Sequence, residues 1–283
     1  MNMKVTIIPN LTRSAAREIT EKICSVLREM GVECCIPRTP GDEKDFDGVI
    51  CGETDALVTD SDAVIAVGGD GAIIHAAKEA VKHSKPILGI NAGRLAFMAG
   101  LESNELDKLS CLIDGKYTID RRLMLKTTIY DTAGETTDFA LNDCYITNNH
   151  KQRMSNMQVF LNGEKINDYV CDGIIISTPT GSTAYSLSAG GPVIDPELES
   201  ILLTPVCPHT LFNRSIIFKP DDRISIKSAE GETLFYSNDG NEPKSFDGNN
   251  KIEISRAEFT ADFIRIKNDN FIDILYRKMK DRM

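Results

Sequence analysis

The stretch AVGGDGAIIHAAK, residues 66–78, decides how the rest of the chain is read. It closes an unbroken apolar run, Ala63–Val67, with Gly68-Gly69-Asp70-Gly71. Apolar residues then recur at Ile73, Ala76, Ala77 and Ala80. A short continuous apolar run predicts a strand of a parallel sheet buried on both faces. The spacing that follows predicts a helix over Ala72–His83. A loop between such a strand and helix is where α/β proteins bind ligands. The helix N-terminus and its free N–H groups favour phosphate, and glycines admit it without a Cβ clash. Asp70 would repel such a ligand unless it acts on it. Two roles fit: accepting a proton from an attacking hydroxyl, or organising Mg²⁺ on the phosphates. The pattern is not a dinucleotide G-x-G-x-x-G, because Asp70 stands in the middle glycine's place, and no G-K-[S/T] follows to make a Walker A loop. On this segment alone, a ligand-free Asp-Gly turn is the alternative.

Outward from this loop, strand and helix alternate. Lys4–Ile8 reads as a strand. Ser14–Met30 is a helix with Ala15, Ile19, Ile23, Leu27 and Met30 on one face, stopped by Gly31. Val32–Ile36 is the next strand. Residues 38–60 read as loop with a short strand at Gly48–Ile50. Pro86–Ile90 is a strand, and Ser103 caps a helix carrying Leu106, Leu109 and Ile113. This rhythm predicts an α/β domain over residues 1–118 with a mainly parallel sheet.

Near Tyr117 the pattern turns extended. Tyr117–Tyr130, Thr136–Thr147, Asn156–Leu161, Lys165–Val170, Gly173–Ser177, Ser215–Phe218, Arg223–Lys227, Thr233–Tyr236 and Lys251–Ser255 all read as strands, with Asn162-Gly163 a tight-turn signal. Residues 119–266 therefore form a β-rich second domain. Asn238-Asp239-Gly240 reads as a hairpin turn in preference to a contact with a neighbouring subunit. Residues 267–283 return to helical spacing, with Phe271, Ile274, Leu275 and Met279 inward, and are expected to dock back on the first domain.

The 283 residues carry a formal charge of −10 and 41% apolar residues. That composition suits a globular protein and argues against a general nucleic-acid surface. No apolar run is long enough for a membrane span, and no export signal is seen at the N-terminus, so a cytoplasmic setting is expected. The eight cysteines include no C-x-x-C pair; they read as free, mostly buried thiols, with no structural metal site.

A second chemical stretch is CDGIIISTPTGSTAYSLSAGGP, residues 171–192. A buried strand, Gly173–Ser177, runs into Ser177, Thr178, Thr180, Ser182, Thr183, Ser186 and Ser188 among glycines. Small hydroxyls and bare backbone suit a ligand rich in oxygen that is held by hydrogen bonds. Asp172 could accept from an amide or hydroxyl, and Tyr185 could stack on a base. Leu141-Asn142-Asp143 is a third piece. An amide beside a carboxylate inside an extended segment could read a base edge and a sugar diol, or mark an edge or bulge.

Together these segments resemble the NAD kinase (ATP-NAD kinase) family of bacterial type. VGGDG is shared more widely, with diacylglycerol, sphingosine and 6-phosphofructokinases. DGIIISTPTGSTAYSLSAGGPVIDP, with CPHTLFNR at 207–214 and INAGRLAF at 90–97, carries the specific likeness. The resemblance implies transfer of the terminal phosphate of ATP, or sometimes polyphosphate, to the adenosine-ribose 2′-hydroxyl of NAD⁺, with Mg²⁺ or another divalent cation. It implies an α/β domain plus a sandwich-like β domain with NAD in the cleft, and a homodimer or homotetramer. Residue by residue, Asp70 matches the catalytic acid/base, Gly68, Gly69 and Gly71 the phosphate loop, and Phe97 an aromatic at the cleft. Asn142 and Asp143 match the pair that holds the NAD adenosine. Thr183, Ala184 and Tyr185 match the adenine-side wall, with Thr180 and Ser182 on the same NAD-binding loop, and Asp172 matches a group near the nicotinamide. His209, Asn213 and Arg214 fall in a loop that in the family lies near the subunit interface. Arg94 is a candidate phosphate contact. Three positions depart from the family pattern: Ala72 for Thr, Asp143 for Glu and Ala96 for Gly. A non-catalytic NAD(P)-binding sensor and a lipid kinase are the alternative functions; the polar 177–191 stretch argues against an apolar acceptor cleft.

Overall fold

The computed structural model describes residues 3–38, 46, 48–93, 96–131, 134–148, 154–209 and 213–280. The chain divides into two compact units, one of Met1–Arg121 with Ala261–Met283, the other of Arg122–Thr260.

In chain order the first unit opens with β1 (Lys4–Pro9), α1 (Ser14–Glu29), β2 (Glu33–Pro37), β3 (Ile50–Gly52), α2 (Thr54–Thr59) and β4 (Ala63–Gly68). It continues with α3 (Asp70–Lys82), β5 (Ile87–Asn91), β6 (Leu101–Glu102), a 3₁₀ turn over Leu106–Leu109 and α4 (Ser110–Ile113). The strand order is β3-β2-β1-β4-β5, every pair parallel. Every residue of β4 and β5 is buried, which explains their unbroken apolar sequences. Val5, Ile7, Ile23, Leu27, Ile65, Val67, Leu88 and Ile90 share one core.

Three local readings change on folding. The buried stripe of α1 is Ala16, Thr20, Ile23, Cys24 and Leu27, while Ala15 and Met30 are exposed. Thr20 can join that stripe because its hydroxyl donates to the Ala16 carbonyl at 2.7 Å, so no polar group is left unmet. Ser103 caps nothing: Glu105 precedes the 3₁₀ turn, and Leu106, Leu109 and Leu112 are buried instead of Ile113. A three-residue repeat brings those leucines onto one side. Within 38–60 the structure adds α2, which at six residues is too short to show a period in sequence, though Leu57 and Val58 are buried.

The second unit holds most of β7 (Thr118–Asp131), then β8 (Gly134–Ala140), β9 (Asp143–Asn148), β10 (Ser155–Leu161), β11 (Glu164–Cys171) and β12 (Gly173–Ser177). A 3₁₀ turn over Thr180–Thr183 and α5 (Tyr185–Ser188) follow, then β13 (Ile201–Val206), β14 (Ile216–Phe218), β15 (Ile224–Ser228), β16 (Leu234–Asn238), β17 (Lys244–Phe246) and β18 (Ile252–Arg265). One sheet is antiparallel, in the order β14-β13-β12-β9-β16-β17. The other runs β11-β10-β15-β18, with β7 beside β18 and β8 beside β7. Ile146, Ile174, Ile176 and Leu203 of the first sheet and Met157, Val159, Ile226 and Ile254 of the second share one core, so the unit is a two-sheet sandwich.

Asn162 and Gly163 have φ of 51° and 90°, as a tight hairpin between β10 and β11 requires. The extended segment expected over Thr136–Thr147 is interrupted at Leu141-Asn142, between β8 and β9. The chain leaves this unit within β18, whose Phe263 pairs in parallel with Ile87 of β5, and ends in α6 (Phe271–Lys280). In α6 Leu275 is buried, with Phe271 and Ile274 half-buried; the Met279 side chain lies outside the described residues.

Candidate functional site

In the first unit, β1 and β4 are neighbours, and the chain proceeds from them to opposite sides of the sheet. Their carboxyl ends mark the point where strand order reverses, the place where open α/β sheets take ligands. The 68–71 loop leaves β4 there. Asn10, just after β1, donates its N–H to the Val67 carbonyl at 2.9 Å. Ala92, just after β5, donates to the Gly68 carbonyl at 3.1 Å.

The glycines of this loop differ in what requires them. A Cβ on Gly68 would lie 2.6 Å from the Ala72 Cβ and 3.3 Å from the Asn10 Cβ, so protein packing accounts for that glycine. Gly69 and Gly71 face open space. Packing thus requires one of the three glycines, and open space lies beside the other two.

Asp70 is the first residue of α3 and is half-buried. Its Oδ1 accepts the Met98 N–H at 3.0 Å, which fixes the carboxylate beside first-turn N–H groups that have no partner inside the helix. Met98 directly follows the INAGRLAF stretch. Asn91 orders the start of that stretch: its Oδ1 accepts the Gly93 N–H at 2.9 Å and its Nδ2 donates to Glu102 at 2.8 Å. Phe97 is half-buried and Ala96 fully buried. Arg94 lies outside the described residues.

In the second unit, the Leu141–Asp143 break is held from two sides. Thr178 donates its N–H to the Asn142 carbonyl at 2.8 Å and its hydroxyl to the Leu141 carbonyl at 2.6 Å. Gly181 lies directly on Asn142: a Cβ there would sit 2.0 Å from the Asn142 carbonyl oxygen. The opposite side is the carboxylate of Asp239, which accepts the N–H of Leu141, Asn142 and Asp143 at 2.9, 2.7 and 3.2 Å. Asn142 Oδ1 is buried with no hydrogen-bond partner. Asp143 is 5% exposed.

Most hydroxyls of the 177–188 loop are bonded within the protein. Ser182 is fully buried; its Oγ accepts the Ile194 N–H at 3.0 Å and donates to the Pro179 carbonyl at 2.6 Å. Thr180 accepts from Arg122 Nη1 at 3.2 Å, and the Ser186 and Thr204 hydroxyls share a bond of 2.9 Å. A loop that leaves a buried strand and turns twice must satisfy its own backbone, and short hydroxyls do so locally. Thr180 and Ser182, both expected on the NAD-binding loop, are buried, the first bonded to the Arg122 side chain and the second to the backbone of Pro179 and Ile194. Thr183 and Ala184 are half-buried and Tyr185 is exposed. Tyr185 meets Tyr145 edge-on, with ring centroids 5.2 Å apart. Burial pushes the Tyr145 hydroxyl above its usual range. Asp172 is exposed beside this pair, its carbonyl accepting the Thr147 hydroxyl at 2.8 Å. His209, Asn213 and Arg214 are exposed, and residues 210–212 of the same stretch lie outside the described residues.

Two family models match the chain: the ATP-NAD kinase N-terminal domain over residues 5–117 and the ATP-NAD kinase C-terminal domain over residues 141–266. An NAD kinase of Thermoanaerobacter sp. is 37% identical over 282 residues, covering 99% of both chains. The chain belongs to the NAD kinase family. Another family member, the NAD kinase of Lachnospira eligens, is 38% identical over 279 residues, covering 92% of this chain and 94% of its own. The fold is that of yeast NADH kinase, solved with NADH (TM-score 0.87, 24% identity, 99% of this chain and 88% of that one). It is also that of an Archaeoglobus fulgidus NAD kinase solved with ATP (TM-score 0.77, 23% identity, 98% and 99%).

Within this NAD kinase fold, the two residues that sequence reading missed are Met98, a backbone donor, and Asp239, read only as a turn. Neither carries a signal of its own. Asp239 lies close to 100 residues from Asn142 in sequence, and only the β9–β16 pairing, with Asn238 opposite Cys144, brings them together. Among the described residues no group of three His, Cys, Asp or Glu side chains converges to hold a metal ion. A single loop carboxylate such as Asp70 fits Mg²⁺ carried in on a donor's phosphates, because that ion keeps several waters and takes one or two protein carboxylates. No helix among the described residues is long and apolar enough to cross a membrane.

Proposed function

We propose that the protein transfers the terminal phosphate of ATP to the 2′-hydroxyl of the adenosine ribose of NAD⁺, giving NADP⁺. The observation that carries this reading is Asp70: a carboxylate at a helix N-terminus, beside glycines facing open space, held by the Met98 N–H. A ribose hydroxyl is a weak nucleophile near neutral pH. Asp70 orients it and takes its proton as transfer proceeds, help worth about 10²–10⁴ in rate. The N–H groups at the very start of α3, that of Gly71 among them, receive phosphate oxygens. Asp70 would be the residue to hold Mg²⁺ arriving with ATP, and the ion would supply charge neutralisation on the phosphates.

The Asn142–Asp143 pair holds the adenosine. Its support is the buried, unpaired Asn142 Oδ1, an acceptor with a donor still to be supplied, as an adenine amino group or a ribose hydroxyl would do. Thr183, Ala184 and Tyr185 form the wall beside the base, and Asp172 faces the nicotinamide end. Polyphosphate as an alternative donor, assembly into a homodimer or homotetramer and a cytoplasmic setting belong to the same proposal and rest on family likeness.

The test is NADP⁺ formation from NAD⁺, ATP and Mg²⁺ by the wild type beside Asp70→Asn. Turnover that falls at least about a hundredfold in the variant, with NAD⁺ binding kept, supports both the activity and the role of Asp70. A wild type that binds NAD⁺ and makes no NADP⁺ overturns the kinase reading in favour of a sensor.

A further inference from the structure

Asp239 sits at a tight turn after β16. Asn241 N–H donates to the Asn238 carbonyl at 3.1 Å, and the two central residues, Asp239 and Gly240, have φ of 54° and 70°. A turn of this kind takes Asn or Gly as readily as Asp. The acid therefore needs another reason, and its hydrogen bonds supply one. Oδ2 accepts Leu141 N–H, and Oδ1 accepts both Asn142 N–H and Asp143 N–H. Asp239 also donates its own N–H to the Asp143 carbonyl at 2.9 Å. These three N–H groups belong to the break between β8 and β9. The carboxylate gathers all three, in charge-assisted bonds stronger than neutral ones. With Thr178 and Gly181 on the other side, the Leu141–Asp143 backbone is clamped between a carboxylate and a loop. The clamp fixes the Asn142 carboxamide with Oδ1 buried and unmatched.

We infer that Asp239 is a positioning residue for nucleotide recognition: its carboxylate presents Asn142 and Asp143 to the adenosine of NAD⁺ and acts on acceptor binding rather than on the chemical step. This rests on the reading that Asn142 and Asp143 hold NAD⁺. An amide in place of the carboxylate would turn one NH₂ toward backbone donors, and a glycine would leave three N–H groups without their acceptor. Both residues still accept positive φ, so the turn itself survives in both variants.

The experiment compares wild type, Asp239→Asn, Asp239→Gly, Asn142→Ala and the Asp239→Asn/Asn142→Ala double variant. It measures KM for NAD⁺ and for ATP, kcat, calorimetric NAD⁺ affinity without ATP, and melting temperature. Both Asp239 variants are expected to raise the NAD⁺ KM by about tenfold or more, with kcat and the ATP KM within about threefold, the pattern of lost binding. NAD⁺ affinity falls in parallel, and the double variant loses less than the product of the single losses. If Asn142→Ala weakens NAD⁺ while both Asp239 variants bind it as wild type does, Asp239 is a turn residue only and the inference is overturned, whatever the melting temperatures show. If Asn142→Ala leaves NAD⁺ affinity unchanged, the adenosine reading itself fails, and the inference with it.

Discussion

The Asp70 carboxylate accepts the Met98 backbone N–H at 3.0 Å, so the aim of the proposed base depends on where the 96–100 segment runs. That path depends on Gly89 in β5. A Cβ there would lie 2.9 Å from Ile73 Cδ1, 3.0 Å from the Met98 carbonyl oxygen and 3.2 Å from Ala99 Cα. Gly89→Ala must push Met98 outward and lengthen its bond to Asp70. We expect a loss of about 1–3 kcal/mol in stability, as for other overpacked cores. NADP⁺ formation should fall further than stability explains when assayed well below the melting temperature. Turnover equal to wild type at full folding would show that Asp70 does not need Met98.

Gly181 makes the same kind of close approach in the second unit, 2.0 Å from a hypothetical Cβ to the Asn142 carbonyl oxygen. Backbone cannot yield there as a side chain could. Gly181→Ala is expected to displace Asn142 and raise the NAD⁺ KM at least about tenfold, with a smaller change in the ATP KM. Equal changes in both constants would count against the assignment of Asn142 to NAD⁺.

Ser182 separates holding the loop from holding the ligand. Its buried hydroxyl serves Ile194 N–H and the Pro179 carbonyl. Ser182→Ala leaves a buried donor unmet, at a cost of about 1–3 kcal/mol. Denaturant unfolding should show that loss, while NAD⁺ KM stays within about threefold of wild type. A large KM effect without destabilisation would return Ser182 to the ligand.

Glu105 gives the first unit a pH dependence of known sign. Burial alone would raise its carboxyl, but hydrogen bonds from Lys108, Lys267 and the Glu102 N–H outweigh that and hold it at about 2. A carboxyl depressed on folding contributes stability above its unfolded pKa, and loses it as pH falls from there to the folded value. The window therefore runs from about 4.5 down to about 2. Wild type should exceed Glu105→Gln by about 1 kcal/mol at pH 7, after allowance for solvent screening of a partly exposed cluster. The gap should close progressively below pH 4.5 in urea unfolding. A gap independent of pH would mean that the contact is steric and not electrostatic.

Local patterns in the sequence were enough for the parallel sheet, the β-rich second unit and the Asp70 loop. Ala63–Val67 is apolar without a break because its strand is buried on both faces, and Gly69-Asp70-Gly71 precede a helix whose period is already visible. Asn162-Gly163 announces its hairpin because the required φ values belong to those residue types. Tertiary structure alone decided which polar groups were left for a ligand. Ser182, Thr178, Thr180 and Thr183 look the same in sequence and all have their hydroxyls bonded to protein groups, yet the first three are buried and only Thr183 stays half-exposed. Gly68 and Gly69 are adjacent and identical, yet only the first is wedged against protein. Asp239 reaches the Asn142 segment only because β9 and β16 pair. Strand and helix periods arise from neighbours in the chain, whereas the satisfaction of a buried donor or acceptor depends on which distant segment folds against it.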